Sequence, residues 1–232
     1  MKIFFRFGLA AIILTFVFGG FSASEARAQG AINEILKRMD DHYKALKSLR
    51  TDITMVKFDS VLKENSTMQG KAMYLPVKGR NAYVRIDWRS PEESLAVVDK
   101  EYVIYRPRLK QAIVGNVDSV QKKESAGVSS PLAFLNMSKE QLKANYNIKY
   151  LGEESVGGSV PTWHLELTPK TAGKYKLANV WVDGNGMPVQ VKITENNNDA
   201  TSVLLTNLEK NISLPGSSFK INLPKGTNVV KN

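Results

Sequence analysis

Apolar residues first recur at three- and four-residue steps. Ile32, Ile35, Leu36, Met39, Tyr43, Leu46 and Leu49 fall on one stripe, and this spacing predicts an amphipathic helix over 32–49. Glu34, Lys37, Arg38, Asp40, Asp41, His42, Lys44 and Lys47 occupy the other face. Such a stripe needs an apolar partner surface. Beyond Leu49 the period changes to two. Ile53, Met55 and Val56/Phe58 mark a first strand, and Met68, Gly70, Ala72 and Tyr74 a second. Ala82, Val84, Ile86 and Trp88 alternate with Tyr83, Arg85 and Asp87 in a third, which Pro91 stops. Residues 95–98, 102–105 and 111–114 read as three more, so the first half predicts an antiparallel meander.

The alternation then breaks. Residues 115–128 are polar and without period, and Ser130-Pro131 opens a helical segment to Met137. A second short helix is predicted from Ser138 to Tyr146, because Ser138 and Gln141 form a capping box. Strands resume at 148–151, 162–168, 176–183, 189–194 and 201–208, with Asp183-Gly184-Asn185-Gly186 as a hairpin turn. Phe219, Ile221 and Leu223 predict a last strand, ended by Pro224 and Gly226. The fold class is α+β and mainly β: one curved antiparallel sheet of about eleven strands, with an N-terminal helix and mid-chain helices. No repeat or linker divides it, so residues 29–232 are expected to form a single domain.

The N-terminus reads as an address. Lys2 and Arg6 precede an apolar run over 8–18, and Ala26-Arg27-Ala28 fits a signal cleavage site. The run is short of the roughly 20 residues of a spanning helix. Cleavage near Ala28 would release the remainder into the periplasm. The sequence contains no cysteine, which excludes disulfides, thiolate metal sites, thiol catalysis and attachment through a lipidated cysteine. Net charge is +10, but Lys and Arg are interleaved with acids along the chain. That distribution suits transient contact with an anionic membrane surface, or solubility alone, better than a nucleic-acid face.

Catalytic patterns are missing. His42 and His164 are the two histidines, and no H-E-x-x-H, G-x-S-x-G or phosphate-loop motif occurs. No catalytic residue, metal or cofactor is expected, and the chain does not read as an enzyme. The functional clue is an apolar surplus on one sheet face: Val84, Ile86, Trp88, Val97, Ile104, Trp163, Leu165, Trp181 and Ile193. Leu36, Met39 and Tyr43 of the long helix, with Leu132, Phe134, Leu135 and Met137 of the insertion, would cover it. Tight cover makes a core; loose cover makes a cavity for an apolar ligand.

Local strings bear on that choice. Pro91-Glu92-Glu93-Ser94 through Val98-Asp99, then Tyr105-Arg106-Pro107, Tyr146-Asn147-Ile148, Leu167-Thr168-Pro169-Lys170 and Phe219-x-Ile221-x-Leu223-Pro224-x-Gly226 recur in order. Together they resemble the outer-membrane lipoprotein carrier family (LolA-like). The resemblance implies an incomplete β-barrel with a helical lid. It also implies a monomer that carries lipoprotein acyl chains across the periplasm. Its partners would be an inner-membrane releasing transporter and an outer-membrane acceptor. By spacing from Pro91, the family's lid-latching arginine would fall on Arg80, although Asn81 and Lys100 depart from the family pattern. Envelope-stress sensors and other lipid- or glycolipid-binding modules share the scaffold, and they form the alternative.

Overall fold

The computed structural model describes residues 20–78, 81–117, 134 and 137–231, with side chains from Ala28 onward. A single twelve-stranded sheet carries the fold, in the order β12-β6-β5-β4-β3-β2-β1-β11-β10-β9-β8-β7. The meander is β1 (Leu49–Asp59), β2 (Glu64–Leu75), β3 (Tyr83–Arg89), β4 (Glu92–Val98), β5 (Glu101–Arg106) and β6 (Gln111–Asn116). The return is β7 (Tyr146–Val156), β8 (Val160–Pro169), β9 (Tyr175–Asp183), β10 (Pro188–Glu195) and β11 (Ala200–Lys210), which pairs back onto β1. β12 (Asn228–Lys231) lies parallel to β6, and every other pairing is antiparallel. Among the described residues β7 and β12 are edges that do not meet, so the curled sheet is an open barrel.

The first helix, α1, runs over Gly20–Ala45. It begins earlier than the stripe predicts, passes through Ala28, and stops before Leu49. Leu49 is instead the first residue of β1, paired with Tyr74 and Lys210. In the connector, the Ser48 hydroxyl donates to the Ile212 carbonyl (2.5 Å), and the Lys47 amide donates to the Asn211 side chain (2.7 Å). Leu46 and Leu49 are buried on either side of this bend, so a continuous helical stripe and a bend into a strand leave the same apolar pattern. Among the described residues no helix is long and apolar enough to cross a membrane.

The second helix, α2 (Lys139–Asn145), has the predicted capping box. The Ser138 hydroxyl accepts from the Gln141 amide (3.2 Å), and the Gln141 side chain accepts from the Ser138 amide (2.9 Å). The strand expected over 219–223 is corrected. Gly216–Phe219 is a 3-10 turn, and the extended residues after it join no ladder. Pro215 and Pro224 remove donors there. Alternation is satisfied by packing: fully buried Phe219 sits edge-on to Tyr83 on the outside of the sheet (5.9 Å). The last strand is β12, which the Pro224–Gly226 stop concealed.

Candidate functional site

Register fixes which side chains share the inner face. Ile53 faces Gly70, which faces Trp88; Ala72 faces Ile86, which faces Leu95, which faces Ile104 and then Ile113. Tyr74, Val84, Val97 and Tyr102 form the neighbouring row. On the other side of the barrel Leu165 faces Val180, which faces Val191 and then Val203.

The two sides are covered very differently. Ile32, Ile35, Leu36 and Met39 of α1 pack with Leu142, Leu165, Leu167, Ala178, Val180, Val191 and Ile193 into one closed cluster. Most of these residues retain under 5% exposure. On β3–β6, Ile86 and Trp88 are buried near the β1–β2 side, but Val84, Leu95, Val97, Ile104 and Ile113 are only half-buried. These five form an apolar wall that α1 leaves partly open.

Several expected positions need restating. Trp181 is not on the inner face: it pairs with His164 and Gln190, opposite in parity to Val180. Its ring stacks on His164 (4.3 Å), and its indole N–H donates to Glu154 (2.8 Å), whose carboxylate also meets His164 Nδ1 (3.0 Å). Two residues of one strand, Trp181 and Val180, are both buried because each sheet face has its own cover, which alternation alone does not reveal. Trp163 is on the inner side, half-buried, with the Arg38 guanidinium 5.3 Å above its ring. Phe134 is buried against Tyr146 (5.8 Å), and Met137 packs on the same cluster. Arg80, Leu132 and Leu135 lie outside the described residues.

Tyr43 and His42 exchange roles. Tyr43 is 38% exposed, whereas His42 is turned toward the sheet near Asp183 and Lys210. Burial, helped by Lys210, holds the His42 imidazole below its ordinary pKa, and Asp183 opposes this. Among the described residues its Nε2 is buried without a hydrogen-bond partner.

Where α1 ends, a cleft of about 1170 Å³ opens at the rim of the barrel. Tyr43, Lys44, Leu46 and Lys47 line one side, the β2–β3 loop another, and Asp99 and Lys100 of the β4–β5 turn the third. Tyr74 lies just inside, and burial, with nearby Tyr43, pushes its hydroxyl up to about 12. The sequence reading missed this rim because its members come from three separated segments. It also missed Leu95, Tyr102 and Ile113 on the wall, although they keep step with Val97 and Ile104. Among the described residues no three His, Asp or Glu side chains gather as a metal site.

Residues 75–222, well over half of the chain, match the family model described as outer membrane lipoprotein carrier protein LolA. The chain belongs to this LolA family. The match runs from the end of β2 to just past Phe219, so it includes the open wall and the outer strap. Among individual proteins, the LolA-family chain is 24% identical over 222 residues to the uncharacterized protein MJ0687 of Methanocaldococcus jannaschii. The alignment takes in 95% of this chain but only 60% of that longer relative. An uncharacterized conserved protein of Thermus thermophilus has a similar fold, with TM-score 0.54 and 12% identity over 87% of this chain and 99% of its own. The lipoprotein LppX of Mycobacterium tuberculosis gives TM-score 0.49 and 12% identity over 81% of this chain and all of its own.

Proposed function

We propose that this protein is a carrier that shelters acyl chains of lipoproteins or related lipids against the inner face of β3–β6 and moves them between the membranes of the cell envelope. The observation that carries this reading is the half-buried wall Val84, Leu95, Val97, Ile104 and Ile113 beside a packed half. Membership in a carrier family supports it, and the signal-like N-terminus supports a periplasmic location. By family resemblance, the carrier is a monomer that receives cargo from an inner-membrane transporter and yields it to an outer-membrane acceptor.

The partial cover has an energetic use. Each buried methylene contributes roughly 0.8 kcal/mol, so a chain of about 16 carbons gains on the order of 12 kcal/mol when fully enclosed. That corresponds to a dissociation constant of about 1 nM, too tight for a shuttle that must unload. A wall that leaves some methylenes in contact with solvent lowers that figure. α1, packed on the β7–β10 half, leaves this wall to the cargo.

The test is binding of a fluorescent acyl-chain probe to the full chain and to Val97→Glu and Ile104→Glu. A carboxylate placed on the wall should weaken binding about tenfold or more while circular dichroism stays unchanged, because an unpaired charge resists burial beside the acyl chain. Equal binding by the folded variants would remove the wall from the function.

A further inference from the structure

The rim cleft contains more charge than an acyl chain requires. Among the described residues four ammonium groups line it, from Lys44, Lys47, Lys78 and Lys100, against the carboxylate of Asp99. Lys44 is neutralised by Asp40 one helical turn earlier (2.5 Å). Both Asp99 carboxylate oxygens lie 3.4 Å from the Tyr83 hydroxyl, on the outer side of the sheet. Lys47 and Lys78 have no ion-pair partner among the described residues.

The position of this charge is as informative as its sign. Tyr74, Val84, Val97 and Tyr102 form the last inner-facing row of the wall at this end of the barrel. The β2–β3 loop and the β4–β5 turn continue directly from that row into the rim, at Pro76, Asn81 and Asp99. A lipid whose chains lie on the wall therefore has its headgroup among the lysines. A neutral glyceryl headgroup would gain nothing from them. A phosphate would, since lysine ammonium groups bind phosphate as point charges.

We propose that the rim cleft is a headgroup site for a phosphate-bearing lipid, held by Lys47, Lys78 and Lys100 while its chains occupy the β3–β6 wall. The assignment rests on the carrier reading above and narrows its cargo to anionic lipids.

The experiment displaces a bound fluorescent acyl probe from the full chain with two sub-micellar lipids of identical chains, dioctanoyl phosphatidylglycerol and dioctanoylglycerol. The anionic lipid should displace the probe at about a tenfold lower concentration, a preference of about 1.4 kcal/mol. In a Lys47→Gln, Lys78→Gln, Lys100→Gln variant the two curves should converge to within about twofold by loss of the anionic lipid's advantage. Equal displacement in the unmodified protein would overturn the headgroup site and leave the carrier reading standing. A preference that survives the triple substitution would also overturn it, assigning the charge effect elsewhere. Sodium phosphate that abolishes the preference at the same concentration as the lipid would show a free-phosphate site instead. Failure of both lipids to displace the probe would count against the carrier reading itself.

Discussion

The β7–β10 half of the barrel and the β3–β6 half use the same alternating strands, yet they end in different states. In the first, α1 lies along the inner face, and Leu36, Ala178 and Val180 are fully buried. The Arg38 guanidinium donates to the Gly184 carbonyl (3.0 Å), and the Lys143 ammonium donates to Asn33 (2.7 Å), so the middle of α1 is tied at two points. In the second, the cover is placed outside. Arg85 donates to the carbonyls of Ser218 and Lys220 (3.1 and 2.8 Å), and Phe219 is buried beneath them, while the inner side chains stay half-buried. One half is therefore built to be rigid, and the other is rigid on its outer face and adaptable on its inner one. A binding wall needs both: a fixed backbone and an apolar surface whose contacts are still to be made.

The strongest way to break this contrast is to detach α1 from the rigid half. Gly186 sits at the β9–β10 turn with φ +83°, and a Cβ there would lie 2.1 Å from the Arg38 carbonyl oxygen. Both the left-handed backbone and the close approach exclude a side chain. Gly186→Ala should therefore cost about 3 kcal/mol or more in urea unfolding. A loss within about 1 kcal/mol would mean that the turn does not press on the helix.

A matched pair of substitutions sharpens the same contrast at smaller amplitude. Leu36→Ala in the packed half should destabilise by about 3 kcal/mol, through lost burial and a cavity. Ile104→Ala on the open wall should cost less, about 1 kcal/mol, because part of its surface already meets solvent. The order reverses in acyl-probe binding, where Ile104→Ala weakens affinity directly. Equal unfolding losses at the two sites would erase the distinction between core and wall.

Much of this arrangement was legible in the residues. The capping box at Ser138, the hairpin at Asp183–Gly186 and the period-two rows through Val84, Ile86 and Trp88 are local signals, and each appears where its pattern placed it. The open barrel could be expected from family resemblance. What could not be read was whatever depends on which neighbour covers a residue. Trp181 looks identical to an inner-face tryptophan until His164 and Glu154 are seen across the outer side. Phe219–Leu223 alternates like a strand, but it satisfies that alternation by lying on the sheet instead of joining it. The rim lysines come from the end of α1 and its connector, the β2–β3 loop and the β4–β5 turn, and no local pattern links those three segments.

The smallest expected effect tests whether the rigid half has a weak point of its own. His42 replaces Tyr43 on the buried stripe, and Lys210 and Asp183, themselves 3.7 Å apart, are the charges that face it from the sheet. On its own helix Asp40 is engaged by Lys44, and Asp41 is exposed to solvent. Because burial lowers the His42 pKa, the unfolded chain takes up this proton near the ordinary value of 6.5 while the folded chain still resists it. The unfolded state then binds more protons, so stability falls as pH drops through 6.5, levels off below the folded pKa, and is unaffected above 6.5. His42→Gln removes this contribution and leaves His164 in place. Between about pH 7.5 and about pH 5, urea midpoints should therefore fall further for the unmodified protein than for the variant, by under about 1 kcal/mol. An identical fall in both would mean that the helix end is not held by a neutral imidazole. A larger fall in the unmodified protein would mark the Leu46 end of α1, beside the rim cleft, as the place where the packed half first loosens.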